Sequence, residues 1–206
     1  TGKELHESEE AMKLGLAVVQ YMDLKCQQLA ERHGLKMVLE QTPAESTAYR
    51  FAKLDVKAFP DQAPRVVKGE PKNGEIYYTN STHFNYREGL DPVQRVVEEG
   101  KYHPMIKAGA LTHVWMGEHR PNPLSLASFV QKVFRHSENA QVAFSPEFTV
   151  CNVCGRVTRG LQDSCGACGS PDVDGITRIT GYFTRTSSWN GGKRGELRDR
   201  ARVKVS

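Results

Sequence analysis

The chain lacks any apolar run approaching the roughly 18 residues that a membrane-spanning helix needs, which excludes a helical membrane span. It lacks an excess of either charge. Its 28 Lys and Arg against 24 Asp and Glu leave a formal +4 over 206 residues, too little to dictate an anionic partner by itself. No basic, apolar and small-residue series resembling a signal peptide follows Thr1, and cysteine is sparse, with five residues in all. A reducing, cytoplasmic setting is therefore expected, and a chain opening on Thr rather than Met is expected to be part of something longer. What is present, 38% hydrophobic and 25% charged residues at a mean hydropathy of -0.54, is the composition of a soluble globular protein with one or two cores.

The small net charge is unevenly distributed. Residues 176–206 hold eight basic and two acidic residues, +6, which leaves -2 for the rest.

Spacings of three and four among Met12, Leu16, Val19, Met22, Cys26 and Leu29 predict one long helix over 8–33, capped by Ser8 and ended by Gly34. Cys26 falls on that apolar stripe and reads as a packed residue. Lys36–Gln41 is a strand candidate; after a Thr-Pro-Ala-Glu turn, helical spacing resumes through Ala48, Phe51, Ala52 and Leu54. Residues 55–74, with three prolines and two glycines, read as loop. Further on, 75–79 and 111–116 read as strands, 91–100 and 125–136 as helices, and 142–150 as extended. Alternation of this kind predicts an α/β protein with a mainly parallel sheet or part of a barrel.

Cys151-Asn-Val-Cys154 and Cys165-Gly-Ala-Cys168 are ten residues apart, and each pair is followed by a glycine. Two such knuckles can aim four thiolates at one ion, which suits tetrahedral Zn2+; with no coordination position left open, the site would be structural. A redox pair, an iron–sulfur cluster and a disulfide framework are the competing readings. A redox motif needs only one pair, normally at a helix start, and these knuckles sit among glycines and polar residues.

After the knuckles come Arg178-Ile-Thr-Gly181-Tyr, where Gly181 alone would read as a bulge, and Trp189-Asn-Gly-Gly-Lys193-Arg, which reads as a turn. A four-cysteine ribbon followed by R-x-x-G-Y and W-N-x-G-K-R resembles the C-terminal end of the anaerobic (class III) ribonucleoside-triphosphate reductases. Upstream, Gln41-Thr-Pro-Ala-Glu-Ser-Thr-Ala-Tyr-Arg50 is similar to the family's T-P-A-E-S loop and helix. Tyr78-Thr-Asn-Ser-Thr-His83 and Gly109–Glu118 resemble two more of its segments, in the same order.

The resemblance implies the last part of a ten-stranded glycyl-radical α/β barrel over 1–147, a zinc ribbon over 148–175, and a radical loop with basic tail over 176–206. It implies that a separate radical-SAM activase, carrying a four-iron cluster and using S-adenosylmethionine, removes a hydrogen from Gly181. The radical would then oxidise a cysteine to a thiyl that begins reduction of a ribonucleoside triphosphate. None of the five cysteines suits that role, so the piece alone is expected to be inactive. Oxygen sensitivity and a homodimer follow from the same resemblance. Thr180 stands where some relatives have cysteine.

Independently of the family, a strand feeding a short loop into a helix start makes an anion site from free N–H groups and the helix dipole. Thr42, Ala44, Ser46 and Thr47 are the candidate phosphate contacts there, with Glu45 in the same loop as a helix cap. Asn80, Ser81 and His83 are candidate cavity residues, and His113 is a weaker one. Two other functions are weighed: a nucleic-acid-binding ribbon, motivated by the +6 tail, and a structural or activase-docking module.

Overall fold

The computed structural model describes residues 1–85, 87 and 90–205; Ser206, the last residue of the expected tail segment, lies outside them. The elements run α1 (Glu9–His33), α2 (Glu45–Ala58), β1 (Lys68–Glu70), β2 (Glu75–Tyr77), α3 (Pro92–Gly100), β3 (Thr112–Gly117), α4 (Pro123–His136), β4 (Val142–Pro146), β5 (Phe148–Cys151), β6 (Val157–Arg159), β7 (Val173–Thr177), β8 (Thr184–Arg185) and α5 (Gly191–Asp199).

The expected helix starts hold because the capping residues act as their side chains dictate. The Ser8 hydroxyl accepts from Ala11 N–H, and Gly34 closes α1 in the left-handed region. Asp91 accepts from Val93 and Gln94 ahead of the N1 proline of α3.

The central layer is β3 paired in parallel with β4, from Thr112↔Val142 to Trp115↔Ser145, with α4 as the crossover. Buried on all six residues, β3 packs Val114 and Met116 against Val96 of α3, Phe129 and Val133 of α4, and Val205. A second cluster joins Met12 of α1 to Phe84, Tyr102, Ile106 and Ala110. The β3–β4 pair fits the expected α/β class, but the expected mainly parallel sheet is not what forms: among the described residues β1–β2, β5–β6, β5–β7 and β7–β8 all pair antiparallel, because short connections rather than crossover helices join them. Closure into ten strands goes beyond what 206 residues display.

Three expectations are corrected. Residues 55–74 are not all loop, since α2 runs to Ala58 and β1 pairs antiparallel with β2 from Lys68↔Tyr77 to Glu70↔Glu75. The apolar stripe of α1 is buried only at its start: Met12 packs in the core with Leu16 and Val19 beside it, Cys26 is half-buried, and Met22 and Leu29 are exposed. The Asn190-Gly turn is the start of α5, where Asn190 accepts from Lys193 N–H. That helix escapes a hydrophobic-period search because it packs through glycines. A Cβ on Gly192 would meet Tyr49 Cβ at 2.7 Å, and one on Gly195 would meet the Glu75 carbonyl oxygen at 2.5 Å.

Predicted strand 36–41 is extended but makes one parallel bridge, Glu40↔Ala108, secured by Gln41 N–H to Ala108 O at 2.9 Å. Gly109 lies where that segment crosses. Its φ of +73° is costly for other residues, and a Cβ there would collide with the Gln41 carbonyl.

Candidate active site and metal centre

The four knuckle cysteines lie at one end of a four-stranded antiparallel sheet of order β6-β5-β7-β8: Cys151 ends β5, Cys154 is in the β5–β6 turn, and Cys165 and Cys168 are in the β6–β7 connection. Their sulfurs are all within 4.8 Å of one another, with Cys151···Cys168 and Cys154···Cys165 both at 3.6 Å. Disulfide bonds need about 2.05 Å, whereas four thiolates about 2.3 Å from a tetrahedral ion stand roughly 3.8 Å apart. The donor set therefore fits a metal such as zinc, and all four cysteines are unbridged.

Each knuckle closes the same way. Gly155 N–H bonds Cys151 O at 3.0 Å, Gly169 N–H bonds Cys165 O at 2.8 Å, and the two glycines adopt φ of +71° and +73°. N–H groups of Cys168 and Ala167 turned toward the Cys165 sulfur lower its pKa, while the crowding sulfurs of Cys151 and Cys154 push that of Cys168 up, so a cation between them is what would let all four ionise.

A separate small cavity of about 20 Å³, partly open to solvent, is lined by Gln41, Thr42, Pro43, Asn80, Ser81, His83, Gly109, Leu111 and Thr180. Four of the sequence-predicted residues, Thr42, Asn80, Ser81 and His83, thus share one wall. Ala44 joins through its N–H, which donates to Asn80 Oδ1 at 3.1 Å, while the buried Asn80 Nδ2 has no hydrogen-bond partner among the described residues. Ser81 is the only non-glycine among the described residues with positive φ, +49°, strain of the kind that collects at functional sites.

Ser46 and Thr47 are exposed in the first turn of α2 and do not line the cavity. Glu45 does not cap the helix, which has no side-chain cap; its carboxylate reaches Thr180 instead.

Behind the wall, Gln41 Nε2 lies 3.2 Å from His83 Nε2, and His83 Nδ1 lies 3.3 Å from Glu99 Oε2. An amide donating into Nε2 leaves the proton on Nδ1, where it is donated to Glu99. Glu99 is fully buried, which by itself would raise its pKa; His83, Arg95 and the Phe84 N–H outweigh that and hold it below the usual carboxylate range. His113 is outside the cavity, bonded to Ser145 and stacked on Trp115 with centroids 4.5 Å apart; burial and nearby positive charges keep its pKa well below ordinary.

Gln41, Pro43, Gly109, Leu111 and Thr180 lie in segments the sequence singled out, but nothing in the sequence assigned them to the cavity. Gly109 carried a signal, a glycine leading a strand; the others become neighbours only across long separations.

Six of the eight tail cations face carboxylates within the fold: Arg185 with Asp174, Lys193 with Glu45, Arg194 and Arg198 with Glu75, Arg200 with Glu196, and Arg202 with Glu147. Much of the +6 is thus paired within the fold, which takes force from the charge half of the nucleic-acid reading.

Gly181 follows the cavity residue Thr180. Its φ is not positive, and a Cβ built on it would meet nothing within 4 Å. Neither backbone conformation nor packing calls for glycine there.

A parallel α/β layer, a small cavity beside the start of α2 and a cluster of four cysteines that fits a metal define a mixed α/β protein. The chain belongs to the anaerobic ribonucleoside-triphosphate reductase family, whose model matches residues 1–202. It is 26% identical over 183 residues to the anaerobic ribonucleoside-triphosphate reductase of Enterobacteria phage T4, covering 79% of this chain and 29% of that protein. The Salmonella typhimurium reductase is 26% identical over 98% of this chain and 28% of its own length. The chain therefore spans under a third of these relatives. Its fold is that of an anaerobic ribonucleotide reductase structure, with a TM-score of 0.76, 21% identity, and coverage of 97% of this chain and 30% of that one. A Thermotoga maritima enzyme in complex with dATP and CTP matches with a TM-score of 0.69 at 19% identity, over 94% of this chain and 29% of that one.

Proposed function

We propose that this chain is the part of an anaerobic ribonucleoside-triphosphate reductase that carries the radical glycine, the zinc ribbon and part of the substrate-phosphate site. The observation that carries the reading is Gly181: a glycine the fold does not require, one residue past the cavity wall. A backbone radical needs it, because a Cα between amide nitrogen and carbonyl delocalises the unpaired electron and can flatten when no side chain is attached.

In this reading a radical-SAM activase takes hydrogen from Gly181, and the resulting radical generates a thiyl on a cysteine outside these 206 residues. The cavity holds no cysteine of this chain, four cysteines form the ribbon, and Cys26 lies on α1. The uncapped start of α2 binds phosphate oxygens through backbone N–H groups, with Thr42, Ser46 and Thr47 as hydroxyl donors and Asn80 Nδ2 as a further free donor. Nucleotide in the related Thermotoga maritima structure supports that substrate class. Cys151, Cys154, Cys165 and Cys168 would hold Zn2+, which supplies cross-linking rather than a reacting position, since all four ligands are protein sulfurs.

The full reductase containing this sequence should give a glycyl EPR signal when incubated without oxygen with the activase, S-adenosylmethionine and a strong reductant. Admitting oxygen should then cut the backbone at Gly181. Absence of both signal and cleavage would overturn the reading.

A further inference from the structure

One carboxylate joins three segments that are far apart in sequence. Glu45, the first residue of α2, accepts with Oε1 from the Thr180 hydroxyl at 2.8 Å and from the Thr180 N–H at 3.3 Å. Its other oxygen lies 3.9 Å from Lys193 Nζ in the first turn of α5. A glutamate at the third helical position can fold back onto the N-cap N–H, but Glu45, at the first, leaves α2 uncapped and spans 135 residues of sequence to reach its partner. Thr180 is buried and lines the cavity, whereas Gly181 is half-buried and Tyr182 is 90% exposed. The loop thus passes from cavity wall to solvent within two residues, and Glu45 grips its last buried residue.

We propose that Glu45 is a positioning residue for Gly181. By fixing both donors of Thr180, it sets where the following Cα stands relative to the cavity mouth. The proposal deepens the reading of Gly181 as the radical position and rests on it. Two hydrogen bonds into one carboxylate fix direction as well as distance, because N–H and Oγ1–H of the same residue converge on a single oxygen. Threonine at 180 is part of the device: it supplies the hydroxyl that a cysteine could replace only with a weaker donor. The same carboxylate stands at the start of α2, so the element that presents N–H groups to phosphate also holds the radical loop.

The test separates the latch from the chemistry. Hydrogen–deuterium exchange is followed at the amides of residues 179–183 in wild type, Glu45→Ala, Thr180→Val and Thr180→Ser. Loss of both charge-assisted bonds in Glu45→Ala should speed exchange at Thr180 about tenfold or more. Thr180→Val should give a smaller increase, and Thr180→Ser should match wild type. Amides of β5 and β7 should be unaffected throughout. In the activated reductase, Glu45→Ala and Thr180→Val should lower the yield of glycyl radical per activase turnover. For Thr180→Val, kcat should fall by a larger factor than KM rises. Unchanged exchange at Thr180 in Glu45→Ala overturns the latch even if wild type forms its radical normally. Uniformly faster exchange across the chain would make the residue merely structural and overturn it too. A wild type that forms no radical but shows the exchange pattern would refute the assignment of Gly181 and leave the contact standing.

Discussion

The metal ribbon and the cavity are built on opposite plans. Four ligands from Cys151 to Cys168 come from one short stretch, and their geometry is set by two local turns that each end on a glycine. The cavity takes its wall from four places, Gln41–Pro43, Asn80–His83, Gly109–Leu111 and Thr180, and nothing local to any of them forms it. With a metal bound, the one site would be secured by chelation; the other depends on the fold around it. They should therefore fail independently, and for different reasons.

The sharpest way to break the comparison is to remove the metal. A structural four-thiolate zinc site has an apparent binding energy of about 10–16 kcal/mol, most of it local folding. Chelation or Cys151→Ser should abolish exchange protection in β5–β7 and release one equivalent of zinc, while the β3–β4 layer keeps its protection. Joint loss of both would show that the two regions are one cooperative unit.

Next in size is Glu99→Ala, which leaves Arg95 buried without its carboxylate and His83 without its acceptor. A loss of about 3–5 kcal/mol in urea unfolding is expected, with the ribbon's metal content unchanged. The same group sets an acid limit. Because the folded state keeps the Glu99 pKa below its ordinary 4.5, the unfolded chain takes up the proton first. Its contribution is present above about pH 4.5 and disappears as pH falls through the lower folded value. Glu99→Gln should flatten that part of the stability curve, as measured by unfolding between pH 3 and 6.

Gly109→Ala should cost about 1–3 kcal/mol, since it places a Cβ at positive φ against the Gln41 carbonyl. The shift should be read first at the Gln41 and Ala108 amides. Gly181→Ala completes the series with the smallest effect on the fold. With open space for the methyl group, stability should change by less than about 0.5 kcal/mol, yet the EPR signal should vanish entirely.

The ribbon could be read from sequence because its information is local: residue type, spacing and a glycine after each pair specify both turn and ligand set. The caps at Ser8, Gly34 and Asp91 were legible for the same reason. The motifs containing Thr42, Asn80 and His83 identified half of the cavity wall, but composition and period could not show that Leu111 would meet them. The start of α5, at Asn190, was misread because α5 buries glycine backbone rather than an apolar stripe, leaving no period to detect. Nor did the stripe of α1 report burial along its length, since periodicity states which residues share a face and not what covers it. Charge was the other misleading quantity: the +6 tail was a count, and its meaning depended on Glu75, Glu147 and Asp174, which lie elsewhere in the chain.

The seating of α5 on β2 has a consequence in time. Glu75 and Arg194 are 119 residues apart and Glu45 and Thr180 are 135 apart, whereas the ribbon closes over 17. Loop-closure entropy delays contacts of high sequence separation, so a nascent chain can complete its knuckles well before α5 finds its seat. The segment carrying Gly181 is tethered to the ribbon at one end and to α5 at the other. It acquires its final position only when the slower end docks, which makes the proposed radical position one of the last parts of the molecule to be assembled.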